Sequence, residues 1–523
     1  MISCKVDQLT ERMAKPNVDG LLEKIRKYEP EADLDLVRLA FDFANDAHQG
    51  QKRKSGEPYI VHPLATAELL AEMKVPISII IAGLLHDVPE DTPVTIEDIR
   101  KNFGDDISSM VAGITKLGKI KYRGIDRYVE NLRKMFVAMA SDIRVILIKF
   151  ADRINNLSTL SALPPAKQIR IAQESLEIYA PIANRLGINK MRAKLEDLSF
   201  KHSMPKEYEW VTHLVDRAIK VKKGYVEKVK TLLDTELKRN EINFEAIEGR
   251  VKHKYSLYRK LLKHERDIIQ IHDIIALRII VPRLSDCYAV LGIIHQTWKP
   301  LKGRIKDYIS QPKPNGYQSL HTTVFCEGGE IVEFQIRTRR MHEEAERGIA
   351  AHWQYDEAGK ASAEVRKQMK WVKDLAKQNL DTKTGTEFLE SLETLKIDVF
   401  QDRIFVFTPK GDVIDLPEGA TPVDFAYAIH SQIGNTCVGA RVNDHIVSLE
   451  TRLFSGDCCE IIVDKDRTSP NPDWLSFIKT STARSHIRSG AKSRLMRWIK
   501  NFGEEREGKR ERAEQRATQK KNR

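Results

Sequence analysis

Nowhere in these 523 residues is there an apolar run long enough to cross a membrane. The longest, Val75 to Leu85, is interrupted by Pro76 and Ser78 and falls far short of the roughly 20 residues a span needs. The opening MISCKVDQLTERMAKP lacks the apolar core of a secretory signal. Cysteine is scarce as well: Cys4, Cys287, Cys326, Cys437, Cys458 and Cys459, with no C-x-x-C pair among them. That gives no sign of a thiolate zinc site or a disulfide framework, and a reducing cytoplasm with no membrane partner is expected. What remains, 41% hydrophobic and 31% charged, describes a soluble globular protein. At roughly 150 residues per domain it is long enough for three or four of them.

Charge is abundant but uneven. The formal net charge is +12, and Arg488 to Arg523 alone carries thirteen Lys/Arg against five Glu, a net +8. Such an end suits contact with phosphate or RNA, and it equally suits a solvated helix end. Residues 32–200 read as almost continuous helix. Leu132, Phe136, Met139, Ile143 and Ile146 recur at helical spacing, and Pro58, Pro63, Pro76 and Pro164-Pro165 punctuate the segment. From about 250 the texture changes. IIALRIIV (274–281), HTTVF (321–325) and EIVEFQIRT (330–338) are rich in β-branched residues and predict strands, with helical patterns between them. Residues 340–395 return to helix and charged linker. DRIFVFTPKGDVIDLPEGAT then predicts two short strands around a Lys-Gly-Asp turn, the start of a small β-rich domain. There is no internal repeat.

GLLHDVPEDT (83–92) poses the first chemical question, because the apolar run Ile79 to Leu85 ends in His86, Asp87, Glu90 and Asp91. Burying polar groups without partners costs about 2–7 kcal/mol each, so something must compensate. YIVHP adds His62, and KFADRINNL adds Asp152. Two imidazoles and two carboxylates, with no thiolate, suit a borderline-to-hard divalent ion such as Mn²⁺ or Mg²⁺ with open water positions. Singly, each residue also reads as a satisfied core histidine or a helix-capping acid; the four together point to a metal. His86 and Asp87 are expected on one helical turn, with His62 and Asp152 on other helices of the bundle. Glu90 and Asp91, four residues on, would reach the same cleft and orient or deprotonate a water made acidic by the ion. Pro89 disfavours helical geometry at Val88 and is expected to bend that turn.

AHQGQKRKSGEPYIVHP, GLLHDVPEDT and KFADRINNLSTL resemble the hydrolase domain of the long RelA/SpoT homologues, which hydrolyse and synthesise the alarmone (p)ppGpp. The resemblance implies an all-α HD-type domain that binds Mn²⁺ through His62, His86, Asp87 and Asp152. It also implies catalytic roles for Glu90 and Asp91, and guanine or phosphate contacts from Arg53, Lys54 and Asn156. Hydrolase-dead members lose the His-Asp and Glu-Asp residues; this chain keeps them. It departs at Asn155 and Ser158, where the family often has His and Arg, with substrate affinity the property at stake.

A second concentration of chemistry starts at GRVKHKYSLYRKL, which offers Arg250, Lys252, Lys254, Arg259 and Lys260, by itself readable as a basic helix face. In IHDIIALRIIV, Asp273 is expected to open a strand, with Arg278 inside its apolar run. GRIKDYISQPKPNGYQSLHTTV gathers Lys306, Asp307, Lys313, Asn315, Tyr317 and His321 around a turn-prone Pro-Asn-Gly. In VEFQIRT, alternation puts Glu333, Gln335 and Arg337 on one face and Val332, Phe334 and Ile336 on the other. That polar face is compatible with solvent. Two acids on neighbouring strands amid basic clusters also suit Mg²⁺-assisted phosphoryl-type transfer.

PKPNGYQSLHTT and QIRT…MHEEAERGIAAHW resemble the synthetase domain of the same family, an α/β nucleotidyltransferase-like fold. The resemblance implies transfer of pyrophosphate from ATP to the 3′-hydroxyl of GDP or GTP. Asp273 and Glu333 match the Mg²⁺ acids, with Glu333 also the base for the acceptor hydroxyl. Arg250 and Arg278 match residues that sandwich adenine, and Lys252 and Lys260 match contacts to the ATP phosphates. Tyr317 would stack on guanine, while Lys313, Asn315 and His321 hold the acceptor nucleotide. Arg304-Ile305-Lys306-Asp307 fits the R-x-K-D form of bifunctional members.

DRIFVFTPKGDVIDLPEGATPVDFAYAIHSQIGNTCVGARVNDHIVSL resembles a small β-rich TGS domain, and PDWLSFIKTSTARSHIRSGAK the helical segment after it. In long members a TGS domain senses uncharged tRNA on the ribosome, and His430 matches the histidine implicated there; alone it also reads as structural. The sequence is expected to lack the zinc-binding and ACT-type regulatory domains of full-length members. The expected organisation is a hydrolase domain at 1–200, a synthetase domain at 201–380, a linker at 381–398, the TGS domain at 399–465, and a helical segment with basic tail at 466–523. The whole reads as a cytoplasmic bifunctional enzyme using ATP, GDP/GTP and (p)ppGpp, with the ribosome or uncharged tRNA as partner through the TGS domain and tail. A one-way enzyme, and a ribosome- or tRNA-binding regulator without turnover, stay open beside it; the complete acid sets argue against the regulator.

Overall fold

The computed structural model describes residues 17–118, 125–268, 271, 274–313, 315–354, 403–454, 456–464, 466–467, 469–480 and 482–490. It falls into two units, Met1–Gly385 and Thr386–Arg523. Among the described residues no helix is long and apolar enough to cross a membrane.

The first part of the larger unit is helical, as the periodicity predicts. Its centre is the helix Ile77–Leu85, whose sequence ISIIIAGLL is apolar on every side and therefore has to be surrounded. Helices Leu34–Ala47, Val61–Glu72, Ile96–Gly118 and Arg144–Ser158 pack around it. The contact with Val61–Glu72 is close enough that a Cβ on Gly83 would lie 2.5 Å from Leu70 Cδ1, so any larger residue would make that leucine side chain shift. Helix Asn189–Ser203 closes this bundle and passes Phe200 into a second core.

That second core belongs to a six-stranded sheet: β1 (Ala246–Val251), β2 (Ile275–Val281), β3 (Lys299–Pro300), β4 (Lys306–Asp307), β5 (Leu320–Phe325) and β6 (Ile331–Thr338). The order is β1-β2-β6-β5-β3, with β4 also on β5; β2 and β6 run parallel and the other pairs antiparallel. The three predicted strands are present within one or two residues of their expected ends. Leu277, Ile279, Val324, Val332, Phe334 and Ile336 occupy one face, covered by helices Pro205–Arg239 and Leu284–Thr297. β1 corrects the helical reading of the basic run. Arg250 is in a strand, and only Lys254–Lys263 is helical. AIEGRV has little intrinsic strand character; antiparallel pairing with β2 and burial of Ile247 hold it.

Helices and sheet meet at a tight seam. Ile349 N donates to Leu186 O (3.1 Å), Asn189 Nδ2 to Ala345 O (2.6 Å) and Asn315 Nδ2 to Asn184 O (3.2 Å). Gly187 and Gly348, both at positive φ (75° and 56°), let the two backbones touch where any Cβ would collide.

The smaller unit contains the expected hairpin, β7 (Arg403–Phe407) with β8 (Val413–Pro417), and an antiparallel sheet of β9 (Cys437–Val442), β10 (His445–Val447) and β11 (Cys459–Val463) in the order β10-β9-β11. Its fixed point is Asp424, fully buried at the start of helix Pro422–Ile429. The carboxylate accepts from Thr421 N and Oγ1, Lys479 N, and Thr480 N and Oγ1 at 2.7–3.1 Å, tying the segment after the sheet to the helix. Asp424→Ala would strand these buried donors, each worth about 1–3 kcal/mol when left unsatisfied. Hydrogen exchange should then accelerate in 421–429 and 478–490 while β1–β6 keep their protection; unchanged exchange in both segments would remove Asp424 from this role.

Candidate functional site

Four elements converge on one buried point. His62 sits in the first turn of Val61–Glu72, His86 caps Ile77–Leu85, Asp87 precedes the short helix Val88–Asp91, and Asp152 lies in Arg144–Ser158. The chain turns between His86 and Val88, so the His-Asp pair joins two helices instead of sharing one, and Pro89 sits in the first turn of the second, where its missing N–H costs nothing. His62 Nε2 is 3.3 Å from Asp87 Oδ2 and 3.4 Å from Asp152 Oδ1, and His86 Nε2 is 3.2 Å from Asp87 Oδ1. His62 and His86 are buried.

Both imidazoles have their far nitrogen fixed. His86 Nδ1 is bound to Gly83 O at 2.8 Å, and His62 Nδ1 to Asn155 Oδ1 at 2.6 Å. Donation from Nδ1 turns each Nε2 inward, the orientation in which a histidine ligates a metal. His86 Nε2 is buried without a well-formed hydrogen bond, and ligand atoms of His62, His86 and Asp87 lie within 4.8 Å of one another. An orphaned imidazole nitrogen beside a carboxylate and a second imidazole suits a divalent cation, with Asp152 reaching this trio through His62. The carboxylates draw positive charge to the same point. Burial disfavours a protonated His62, yet Asp152 and Asp87 outweigh it and raise the ring to about 9. Burial likewise works against an ionised Asp152, and Lys149, with Nζ 2.8 Å from Oδ2, holds it well below the usual range.

Glu90 and Asp91 reach the mouth of this cleft. Loss of solvation pushes Glu90 up to about 7, opposed by Lys149 and reinforced by Asp87, Asp91 and Asp152. Arg53 Nη2 donates to Asn156 Oδ1 (2.9 Å), and Asn156 Nδ2 to Asp152 Oδ1 (2.5 Å), so two expected substrate residues are strung onto Asp152. Lys54 is exposed on the adjoining loop. Lys149, Asn155 and Tyr59 were assigned no supporting role from sequence. Lys149 and Asn155 lie three residues either side of Asp152, on the same helical face, and that spacing is the signal that could have found them.

The second site occupies the sheet face opposite the core. Cross-strand register places Arg250 beside Ala276, Arg278 beside Gln335, Gln335 beside His321, and His321 beside Lys306. A hydrogen-bonded line crosses the strands: Arg250 Nη1 donates to Gln335 Oε1 (3.0 Å), and Gln335 Nε2 to Glu333 Oε1 (2.9 Å). His321 Nδ1 lies 3.2 Å from that oxygen, and Tyr317 Oη 2.9 Å from His321 Nε2. Burial, outweighing Glu333, lowers His321, and a neutral ring meets both partners by donating from Nδ1 and accepting at Nε2. Solvent is not what this face meets: Gln335 is 6% and Arg337 1% exposed. Arg278 and Arg337 share Glu346 Oε1 at 3.3 and 3.2 Å, and burial together with Arg337 and Arg250 lowers Arg278 to about 10. Three guanidiniums around one carboxylate leave positive charge in excess there.

The other expected residues fall at varying distances from that line. Lys313 Nζ is 4.9 Å from the Tyr308 ring centre and 5.9 Å from that of Tyr317. Lys252 follows β1 and Lys260 lies in Lys254–Lys263, both half-buried, while Arg304 and Lys306 are exposed. Asn315 faces the helical bundle through Asn184 instead of the sheet. Asp307 accepts from Ile309 N, Ser310 N and Tyr288 Oη and so shapes its own turn. Asp273, and the basic tail from residue 491 on, lie outside the described residues. Glu346 was missed from sequence; it is four residues beyond His342 on helix Arg339–Arg347, facing the arginines.

Comparison with known proteins adds three family patterns: an HD domain over residues 40–189, a region found in RelA/SpoT proteins over 249–360, and a TGS domain over 404–463. The chain is 47% identical over 468 residues to a GTP pyrophosphokinase of Myxococcus xanthus, covering 89% of this chain and 61% of that one. It is 45% identical over 478 residues to the guanosine-3′,5′-bis(diphosphate) 3′-pyrophosphohydrolase of Aquifex aeolicus, covering 91% and 67%. It is 46% identical over 473 residues to the bifunctional (p)ppGpp synthase/hydrolase SpoT of Escherichia coli, covering 90% and 66%. The chain thus spans about three fifths to two thirds of the length of these relatives. Three patterns in this order, carried at such identity along most of the chain, mean that it belongs to the RelA/SpoT family.

Proposed function

We propose that the protein both degrades and makes (p)ppGpp, each at its own site: hydrolysis of the 3′-pyrophosphate to GDP or GTP in the helical bundle, and transfer of pyrophosphate from ATP to the 3′-hydroxyl of GDP or GTP on the sheet. The observation that carries this reading is the coexistence, in one chain, of the convergent His62–His86–Asp87–Asp152 set and the Arg250–Gln335–Glu333–His321 line. The relatives are named for one activity or for both.

In the hydrolase, His62, His86, Asp87 and Asp152 would hold Mn²⁺, which when bound polarises phosphate oxygens and makes a water more acidic. Glu90, raised by its surroundings towards neutrality, is suited to take a proton from the attacking water. Arg53, Lys54 and Asn156 meet the nucleotide at the rim. In the synthetase, Glu333 takes the proton of the 3′-hydroxyl as its oxygen attacks the β-phosphorus of ATP; the bond to the α-phosphate breaks and AMP leaves. Glu333 with Asp273 would hold Mg²⁺. Arg250 and Arg278 flank adenine, Lys252, Lys260, Arg304 and Lys306 serve the phosphates, and Tyr317 stacks on the acceptor guanine beside Lys313, Asn315 and His321. We place the protein in the cytoplasm, where ATP and GTP are both at hand. The TGS likeness and the basic tail support contact with the ribosome or uncharged tRNA.

Asp87→Ala, which removes an anionic ligand from the bundle alone, should lower ppGpp hydrolysis by roughly 100-fold or more while synthesis persists. Glu333→Gln should do the reverse, because the amide neither accepts the proton nor neutralises a cation. Chromatography of products from ppGpp with Mn²⁺, and separately from ATP with GDP or GTP, checks both. A folded Asp87→Ala protein that hydrolyses ppGpp at the parent rate would sink the hydrolase assignment. Tyr317→Ala should raise the acceptor KM about 5- to 150-fold, the equivalent of the roughly 1–3 kcal/mol of a base stack, with ATP KM little changed. Equal acceptor KM values would leave Tyr317 only its bond to His321.

A further inference from the structure

Glu90 and Asp91 ride on Val88–Asp91, a helix of four residues, which has too few internal hydrogen bonds to hold a catalytic geometry. The segment that leads to His62 supplies what is missing. Gln51 Nε2 donates to the backbone oxygen of Asp91 at 2.8 Å. The orientation of that amide is set from behind, since its Oε1 is bound to His48 Nδ1 at 2.9 Å. His48 is buried and stacks on Tyr59, ring centres 4.4 Å apart and planes 19° from parallel. Tyr59 in turn places its hydroxyl 2.6 Å from Asp91 Oδ2 and 2.9 Å from Asp87 Oδ2. Asp91 is therefore gripped at both ends, its carbonyl by Gln51 and its carboxylate by Tyr59. The same hydroxyl links it to the metal-ligand Asp87.

We infer that Gln51 and Tyr59, braced by His48, are positioning residues of the hydrolase centre: a clamp that fixes the Glu90–Asp91 turn relative to Asp87. The two halves of the clamp act differently. Tyr59 bears on both the cation site and the turn, whereas Gln51 bears on the turn alone. Removing the hydroxyl loosens a carboxylate ligand and a catalytic carboxylate together; removing the amide frees only the backbone that carries the catalytic pair. Arg53 does lie over the Tyr59 ring, 5.9 Å from its centre, but the Tyr59 hydroxyl and the Gln51 amide donate to Asp87 and Asp91 and not to Arg53, Lys54 or Asn156, so with the ring kept turnover rather than KM is the quantity at stake. The inference rests on the bundle being the hydrolase site.

The test uses the full chain with Tyr59→Phe, which keeps the ring on His48, and Gln51→Met, which keeps length and loses the donor. Tyr59→Phe should lower kcat for ppGpp hydrolysis roughly 10- to 100-fold and weaken Mn²⁺ binding measured by calorimetry without substrate. Gln51→Met should lower kcat as well but leave Mn²⁺ affinity at the parent value. In both, KM for ppGpp and the rate of synthesis should stay within about threefold of the parent, and the double variant should fall short of the product of the single losses, since both act through Asp91. Parent-like kcat in either single variant overturns the clamp. So does a loss of hydrolysis accompanied by an equal loss of synthesis, which would mark a general folding defect. Asp87→Ala separates the two levels: if it also leaves hydrolysis intact, the hydrolase site itself is misplaced, and if it abolishes hydrolysis while Tyr59→Phe is silent, only the clamp fails.

Discussion

Charge removed from water has to be matched within a few ångströms, and most of this protein's functional architecture follows from how that is done. In the helical bundle, Asp87 and Asp152 meet two imidazoles and Lys149 at a point from which the apolar helix Ile77–Leu85 excludes solvent. The match there is short of positive charge, which His62 makes good when protonated and a divalent cation makes good when bound. On the sheet the imbalance has the opposite sign. Arg250, Arg278 and Arg337 surround Glu346, and Nε of both Arg278 and Arg337 is buried without a partner. The two imbalances thus differ in sign, although both lie within the same larger unit.

How far this was legible in the sequence depends on the range of the interactions involved. Ile77–Leu85 and β2 announce themselves by composition, because an element buried on all sides has to be apolar throughout. The metal-type set was legible from residue chemistry together with the family motifs that carry it. β1 was not, since AIEGRV is held by its neighbour rather than by its own preference. The bend at His86-Asp87 was signalled by Pro89. The polar face of β6 was found by alternation but was equally readable as solvated, and only the arrival of β1, β2 and Glu346 from distant sequence makes it an interior. Supporting residues such as Tyr59, Asn155 and Gln335 act by orienting a neighbour. A side chain whose work is to orient another has no composition or spacing that distinguishes it before the neighbour is in place.

Helix Asn189–Ser203 has a consequence for how the molecule can be taken apart. Met191 and Leu195 are buried along its length, and Glu196 bonds across to His253 at 2.6 Å. Asp197 receives Lys254 N and Tyr255 N, the start of helix Lys254–Lys263. Phe200 packs among Tyr208, Tyr255 and Tyr258, with ring centres 4.9–5.6 Å away. A chain severed at residue 200 would carry this aromatic out of its tyrosine box and leave a hole under the sheet, while exposing an apolar ring on the bundle. The helix is thus a shared beam, and dissection into a catalytic fragment for each reaction has to leave it intact in both.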